Sequence, residues 1–165
     1  MKILGIDPGY DRLGIAVIEK PVKGKEALLH SECFVTSSKE SIYKRLKIIG
    51  ERIEFIINEY RPDNLAIENL FITKNQKTAM RVSEARGIII YEALKADMEV
   101  FEYSPMEIKM AITGDGTSDK TRIMKMVPIL IDLKEKSQKD ASRKVILDDE
   151  YDAIAVALTH SACKK

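Results

Sequence analysis

Four acidic residues of the sequence stand where their side chains could do chemistry together. Asp7 ends the apolar run ILGI, and Glu68 ends the similar run NLAI. Asp149 and Asp152 are three residues apart in a segment with helical spacing, so they share one face of a helix. Burying an unpaired carboxylate at the end of a strand is costly. The pattern therefore predicts that a cation or open water compensates these acids.

The pattern of these four carboxylates favours metal binding. Several carboxylates cannot all ionise in a small site without a cation between them, and oxygen ligands alone suit Mg²⁺ or Mn²⁺ rather than zinc. Two such ions ~3.5–4 Å apart would hold both the attacking and the leaving oxygen of a phosphodiester. A simpler explanation stays open for each acid, because the helix dipole stabilises acids in a first turn and Glu68 could cap a turn.

The strands that would position the two strand-end acids can be predicted from apolar runs separated by turn residues. Three closely spaced strands, over Lys2–Asp7, Gly14–Glu19 and about His30–Thr36, predict an antiparallel meander. Asn64–Glu68 and Glu99–Tyr103 are predicted as two further strands, each after a helical segment.

Helices are predicted between and after these strands. A capping box at Ser37–Glu40 precedes apolar residues at helical spacing, and this helix should stop before Arg61. Ser104, with Pro105 and Glu107 behind it, is a second helix start. The other predicted helices cover Gln76–Ala96, Lys120–Ile131 and about Asp148–Cys163.

The composition is that of one ordinary globular domain, which we assign to residues 1–165. Hydrophobic residues make up 45% and charged residues 32%, and the formal net charge is +1. No apolar run approaches the ~20 residues of a membrane span, and the N-terminus lacks a signal-peptide pattern. Cys33 and Cys163 lie far apart without metal-type spacing. We therefore expect a cytoplasmic protein with no membrane association.

Five segments of the sequence carry a resemblance to a known family: GIDPGYDRLGIAVIE, LAIENLFITKN, EARG, FEYSPMEIK and DDEYDAIAVALTH. In order and spacing they resemble the RuvC family of Holliday junction resolvases. The resemblance covers Lys2 to His160 and implies a ribonuclease-H-like α/β fold. That fold has a mixed five-stranded sheet, three antiparallel strands then two parallel ones, flanked by helices, and the predicted element order agrees.

The resemblance implies an activity and partners as well. The family's activity is Mg²⁺-dependent nicking of two opposing strands of a four-way DNA junction, symmetrically, leaving 5′-phosphate and 3′-hydroxyl ends. It acts as a homodimer, with the RuvA–RuvB branch-migration complex as a candidate partner. The stripe Ala79, Ser83 and Gly87 lies in the region that the family uses for the dimer contact, although ordinary helix packing explains it equally well.

Site residues are carried over from the family one by one. Its catalytic and metal-binding carboxylates fall on Asp7, Glu68, Asp149 and Asp152. Asp149 is preferred over Asp148 because the family's last two acids are three residues apart. Two Mg²⁺ ions, or Mn²⁺ in their place, would bind there in each active site. The implied DNA-binding residues are Phe71, Lys74, Lys77, Arg81, Lys109 and Lys120.

Departures from the family pattern leave parts of this assignment open. Glu150 and Tyr151 stand between the last two acids, where the family usually has small residues. The stretch before them lacks the family's Pro-rich approach to this helix, which leaves its geometry in question. Solvated lysines and a core Phe71 are the alternatives for the DNA-binding residues.

Three other functions are compatible with parts of the pattern. An actin-type phosphotransferase shares the Asp-x-Gly start, but such enzymes need two related lobes. A YqgF-like nuclease shares the fold and is usually shorter. A non-catalytic junction-binding module would have to keep four mutually repelling acids without a metal.

Overall fold

A mixed β-sheet forms the centre of the protein in a computed structural model, which describes residues 1–70, 76–132 and 147–164. The strands are β1 (Lys2–Asp7), β2 (Arg12–Glu19), β3 (Glu26–Val35), β4 (Asn64–Glu68), β5 (Glu99–Tyr103) and β6 (Ile131–Asp132). The helices in the described ranges are α1 (Ile42–Tyr60), α2 (Gln76–Lys95), α3 (Pro105–Thr113), α4 (Lys120–Leu130) and α5 (Asp148–Cys163).

The sheet combines an antiparallel meander with parallel strands. Its strand order is β5-β4-β1-β2-β3-β6. Strands β1, β2 and β3 pair antiparallel, whereas β4 pairs parallel with β1 and β5 parallel with β4. This topology, with helices on both faces, confirms the predicted ribonuclease-H-like class.

The predicted strand count of five was wrong, because the described residues form a six-stranded sheet. The additional strand is β6, which pairs parallel with the start of β3 through Glu26 and Ala27. It is only two residues long. Because a two-residue strand has no alternating pattern of its own, the sequence reads there as the end of helix α4.

Alternation along the central strands divides the core into two layers. Ile3 points to the face covered by α3, α4 and α5, whereas its neighbour Leu4 points to the face covered by α1 and α2. Successive side chains of a strand point to opposite faces, so an uninterrupted apolar run is what a strand buried on both faces requires. The two strand-end acids therefore follow the most buried segments of the chain.

Helix ends follow local capping chemistry, with one correction to the prediction. Helix α1 starts at Ser41, whose hydroxyl accepts a hydrogen bond from the N–H of Lys44, and not at the expected box Ser37–Glu40. The predicted stop holds, because Arg61 caps the helix in a left-handed conformation. The predicted capping box at Ser104 is confirmed, with both of its hydrogen bonds present.

None of the described helices combines the length and the apolar character that a membrane span requires.

Helix α5 lies directly on the backbone of the sheet. A Cβ atom at Gly5 would lie 2.7 Å from the Cβ of Ala157 and 2.9 Å from its nitrogen. A Cβ at Gly14 would lie 3.0 Å from the carbonyl carbon of Asp149 and 3.1 Å from the Cβ of Asp7. Only glycine permits this approach, which carries the first turn of α5 to the end of strand β1.

We expect Gly5→Ala to lower the free energy of unfolding by about 1–3 kcal/mol, because the added methyl group has to displace α5. The measurement is urea denaturation followed by circular dichroism. Gly87→Ala is the matched control, since a Cβ at Gly87 would meet nothing within 4 Å and its φ needs no glycine. Equal stability of the Gly5→Ala variant and the wild type would contradict this account of the helix–sheet contact.

Candidate functional site

Two of the predicted acids are neighbours at one edge of the sheet. Strands β1 and β4 are parallel, and Ile6 pairs with Ile67. Asp7 follows Ile6 as the last residue of β1, and Glu68 follows Ile67 as the last residue of β4. Both side chains are half-buried. The strand pairing therefore brings these two carboxylates side by side where the apolar layer ends.

The other two acids reach the same edge from helix α5. Asp149 and Asp152 lie in its first turns, and the carbonyl group of Asp149 lies against Gly14 of β2. Gly14 pairs with Asp7 across the antiparallel ladder. The close helix–sheet contact thus sets the distance between the helix acids and the strand acids.

A buried acid anchors the start of this helix. Glu150 is fully buried and accepts a hydrogen bond of 2.7 Å from the hydroxyl of Ser31 on β3. Its other oxygen accepts the N–H of Leu147 at 3.2 Å, one half of a capping box. The departure from the family pattern at this position therefore has a structural role, because Glu150 ties the first turn of α5 to the sheet.

The loop behind Asp7 is held from the side of helix α1. Arg45 is buried, and it pairs with the carboxylate of Asp11. It also donates to the carbonyl of Tyr10 at 3.0 Å and to the hydroxyl of Thr36 at 2.8 Å. A buried guanidinium with this many partners fixes the turn between β1 and β2, and with it the end of the strand that carries Asp7.

The two strand acids are in an environment that disfavours their charge. Burial, and then the negative charges of Glu68 and Asp152, raise the pKa of Asp7 to about 7. Burial, and then the charge of Asp152, raise the pKa of Glu68 to about 7 as well. Since these shifts come from desolvation and like charges, a bound cation would reverse them.

The two helix acids are paired with basic side chains. Lys120, at the start of α4, lies 2.7 Å from Oδ2 of Asp152 and 3.8 Å from Oδ2 of Asp148. Arg12, at the start of β2, donates from both Nε and Nη2 to Oδ2 of Asp149. Although burial opposes ionisation of Asp149, the hydrogen bond from Arg12 lowers its pKa. Asp149 and Asp152 are thus each in contact with a cationic side chain, although burial raises the pKa of Asp152 in spite of its contact with Lys120.

A cavity of about 230 Å³ opens beside the carboxylates. Glu68 and Asp152 line it together with Lys109 of α3 and Lys120 of α4, and Ile108 and Ile123 form part of its apolar wall. The cavity thus presents carboxylate oxygens beside two ammonium groups. An anionic group could approach the lysines there while a metal is held by the acids.

The donor set fits hard divalent cations, because all four predicted ligands are carboxylates. Among the described residues, no three acidic, histidine or cysteine side chains form a preassembled metal cage. Arg12 and Lys120 each contact one of the predicted ligands, Asp149 and Asp152.

The remaining predicted residues differ in how far the structure describes them. Phe71 and Lys74 lie outside the described residues. Lys77 is exposed at the start of α2, and Arg81 in the next turn forms a 2.9 Å ion pair with Glu84. Neither Lys77 nor Arg81 lines the cavity that contains the acids.

Sequence reasoning missed Arg12. The sequence contains only a weak indication of its role. Arg12 is a basic residue two positions before Gly14, the residue that pairs with Asp7. Alternation places residues 12 and 14 on the same face of the strand. That face is the one under α5, so the register of β2 indicates that Arg12 lies near the helix acids.

His160 is not part of this group of side chains. It is buried, stacks on Phe101, and its Nδ1 lies 2.7 Å from the hydroxyl of Tyr103. Burial, and then the nearby charge of Lys164, lower its pKa to about 4, so the ring is neutral at pH 7. It packs locally within the core.

Comparison with protein families gives one match over nearly the whole chain. The family model described as crossover junction endodeoxyribonuclease RuvC matches residues 3–160. A protein of that name from Thermosipho melanesiensis is 44% identical over 158 residues, which is 95% of this chain and 94% of that protein. One from Finegoldia magna is 38% identical over 160 residues, 97% of this chain and 92% of that protein.

Solved structures agree with the sequence comparison. The Thermus thermophilus RuvC structure superposes with a TM-score of 0.85 at 32% identity, covering 98% of this chain and 94% of that one. The same protein in complex with Holliday junction substrate gives a TM-score of 0.86 at 32% identity, covering 99% and 94%. These matches favour a RuvC protein over an actin-type phosphotransferase or a YqgF-like nuclease.

We expect the metal-free protein to lose stability as the pH rises from about 4 to about 8. The folded-state pKa of Asp7, about 7, lies above its ordinary value of 3.8. Its contribution is therefore fully present below pH 3.8 and is lost as the pH rises through 7. Asp7→Asn should raise the free energy of unfolding at pH 8 by about 2 kcal/mol, measured by urea denaturation in EDTA.

Asp97→Asn is the matched control for this experiment. Asp97 is an exposed turn residue with a φ of 58°, a conformation that asparagine also adopts. The substitution removes the same charge at a position that does not line the acidic cavity. A pH dependence that is identical in the Asp7→Asn variant and the wild type would contradict the electrostatic account of the site.

Proposed function

The chain belongs to the RuvC family of crossover junction endodeoxyribonucleases, and from this membership we propose that it resolves four-way DNA junctions as a Mg²⁺-dependent endonuclease. It would make paired, symmetric nicks in opposing strands and leave 5′-phosphate and 3′-hydroxyl ends. The observation that carries the proposal is the meeting of Asp7, Glu68, Asp149 and Asp152 at one edge of the sheet, beside a cavity with two lysines.

Each carboxylate has a proposed role in holding two divalent ions. The shifted pKa values of Asp7 and Glu68 mark them as the acids that gain most from a cation. Asp149 and Asp152 add oxygens from the first turns of α5. Bound there, two Mg²⁺ ions, or Mn²⁺ in their place, would activate the attacking water and stabilise the leaving 3′ oxygen.

The two lysines would act on the phosphate. Lys109 is half-buried in the cavity wall, and Lys120 already contacts a site carboxylate. An ammonium group beside a phosphodiester stabilises the negative charge that develops on the phosphoryl oxygens. We therefore assign to both lysines the binding of the phosphate at which the strand is cut.

Further DNA contacts are proposed along the start of α2. Lys77 and Arg81 are basic residues one turn apart, and Lys74 and Phe71 precede them in the chain. Basic side chains at this position would neutralise phosphates of a junction arm. Phe71 would stack on an unpaired base at the opened junction centre, a contact worth ~1–3 kcal/mol.

Helix α2 is the proposed contact of a homodimer. Met80, Ser83, Gly87, Tyr91 and Leu94 recur at intervals of three and four residues, so they lie on one face of the helix. In the single chain this face is exposed, with 64% of Met80, 63% of Tyr91 and 58% of Leu94 accessible. Small residues flanked by large apolar ones allow two such helices to pack closely. A dimer would place two active sites against two opposing strands.

The same proposal places the enzyme in homologous recombination and DNA repair in the cytoplasm. The RuvA–RuvB branch-migration complex is the proposed partner at the junction. A nick that ends in 5′-phosphate and 3′-hydroxyl groups can be sealed by a ligase, which suits this pathway.

We expect Asp7→Asn to lower the rate of junction cleavage by roughly 100-fold or more, because one ligand of the divalent ions loses its charge. The substrate is a labelled synthetic four-way junction that can branch-migrate, with linear duplex of the same sequence for comparison. Denaturing gels measure paired nicks with and without Mg²⁺, and native gels measure binding.

Asp148→Asn is the control for this test, since Asp148 is an exposed acid next to Asp149 and should leave cleavage within about threefold of the wild type. Loss of cleavage in Asp7→Asn with intact junction binding supports the proposal. Binding by the wild type without cleavage in Mg²⁺ or Mn²⁺, over varied junction sequences, would instead favour a non-catalytic junction-binding module.

We expect Leu94→Glu to convert the dimer into a monomer, because a carboxylate buried in an apolar interface has no compensating partner. Sedimentation velocity measures the change. Val22→Glu places the same charge at a fully exposed apolar position, far from α2 in the sequence, and should not alter the oligomeric state. A dimer that survives Leu94→Glu would show that α2 is not the contact.

A further inference from the structure

Among the described residues, Arg12 contacts a proposed metal ligand through two nitrogens, whereas Lys120 contacts Asp152 through one. Its Nε donates to Oδ2 of Asp149 at 3.0 Å, and its Nη2 contacts the same oxygen. Asp149 is mostly buried, with 21% of its side chain exposed, whereas 52% of Arg12 is exposed. The exposed side chain of Arg12 can therefore move away, whereas helix α5 holds the carboxylate of Asp149 in place.

This contact uses an oxygen that a divalent ion would need. Two N–H groups converge on one carboxylate oxygen, and a charge-assisted pair of this kind is stronger than a neutral hydrogen bond. The two N–H groups take the lone-pair directions of Oδ2, and the charge of the guanidinium would repel a divalent ion at the same oxygen. Metal binding through Oδ2 of Asp149 therefore requires Arg12 to move.

The rest of the site explains why a resident cation is present. Asp7, Glu68, Asp149 and Asp152 bring four carboxylates to one edge of the sheet. The helix acids contact basic side chains, Asp149 that of Arg12 and Asp152 that of Lys120. Arg12 thus neutralises Asp149 while no metal is bound.

We propose that Arg12 is an internal counter-ion that competes with one of the two divalent ions for Asp149 and so keeps metal affinity low until the guanidinium leaves. This inference rests on the proposed metal-dependent function. Arg12 lies at the beginning of β2 and its side chain reaches solvent. Once displaced, the guanidinium is free to pair with a phosphate, which it can contact through two nitrogens. Arg12 is a positioning residue for Asp149 rather than a catalytic one.

The test measures Mn²⁺ binding to the DNA-free protein by electron paramagnetic resonance of the free ion. Arg12→Gln should bind the weaker of the two ions about fivefold more tightly than the wild type, because the competing cation is gone. Arg12→Lys keeps the charge but not the two-nitrogen contact, so its affinity should lie between the other two. Thermal unfolding in EDTA verifies that each variant is folded.

Arg52→Gln is the matched control. Arg52 makes the same kind of two-nitrogen contact, to Glu32, at 2.7 and 2.9 Å, but does not line the acidic cavity. This variant removes one positive charge and one such ion pair, and its Mn²⁺ affinity should equal that of the wild type.

The outcomes separate this inference from the proposed function. Equal Mn²⁺ affinity of the wild type and Arg12→Gln overturns the role of Arg12 and leaves the proposed nuclease intact. An affinity of Arg12→Lys equal to that of the wild type overturns the contact with Asp149 as the cause. If neither the wild type nor Arg12→Gln binds Mn²⁺ up to about 10 mM, the metal-dependent function itself fails.

Discussion

The backbone contact between helix α5 and strands β1 and β2 is the constraint on which the site depends. Gly5 and Gly14 leave no side chain beneath the helix, so its first turn reaches the edge where the strands end. Asp149 and Asp152 are delivered to the strand acids by that approach. If one more layer of side chains separated helix and sheet, the carboxylates would form two distant pairs and could not share cations.

The concentrated negative charge is balanced in two ways. The strand acids are desolvated, so their charge is suppressed and the pKa values of Asp7 and Glu68 lie near 7. The helix acids are instead contacted by basic side chains, Asp149 by Arg12 and Asp152 by Lys120. Both devices lower the repulsion that four ionised carboxylates would otherwise suffer. The fold therefore remains stable without a metal. Divalent ions that bind at the site would take the place of the protons and of the basic side chains.

Local patterns predicted most elements because their causes are local. The long apolar run before Asp7 identifies a strand buried on both faces, and the capping box at Ser104 starts α3 where the sequence places it. Local reasoning failed where several patterns compete or none exists. Helix α1 is capped by Ser41 and not by the predicted capping box at residues 37–40. Strand β6 is only two residues long, so it has no alternating pattern to detect.

From the sequence one can derive the order of most elements, the four acids and the metals that oxygen ligands favour, since each depends on residue type and short-range spacing. The class of fold followed from the family resemblance. The tertiary structure alone shows how the acids are neutralised and held. Arg12 contacts Asp149 across 137 residues of sequence, and Ser31 supports the buried Glu150 across 119. Contacts over such separations follow from sheet register and helix placement, which no local spacing encodes, so they become visible only when the chain is folded.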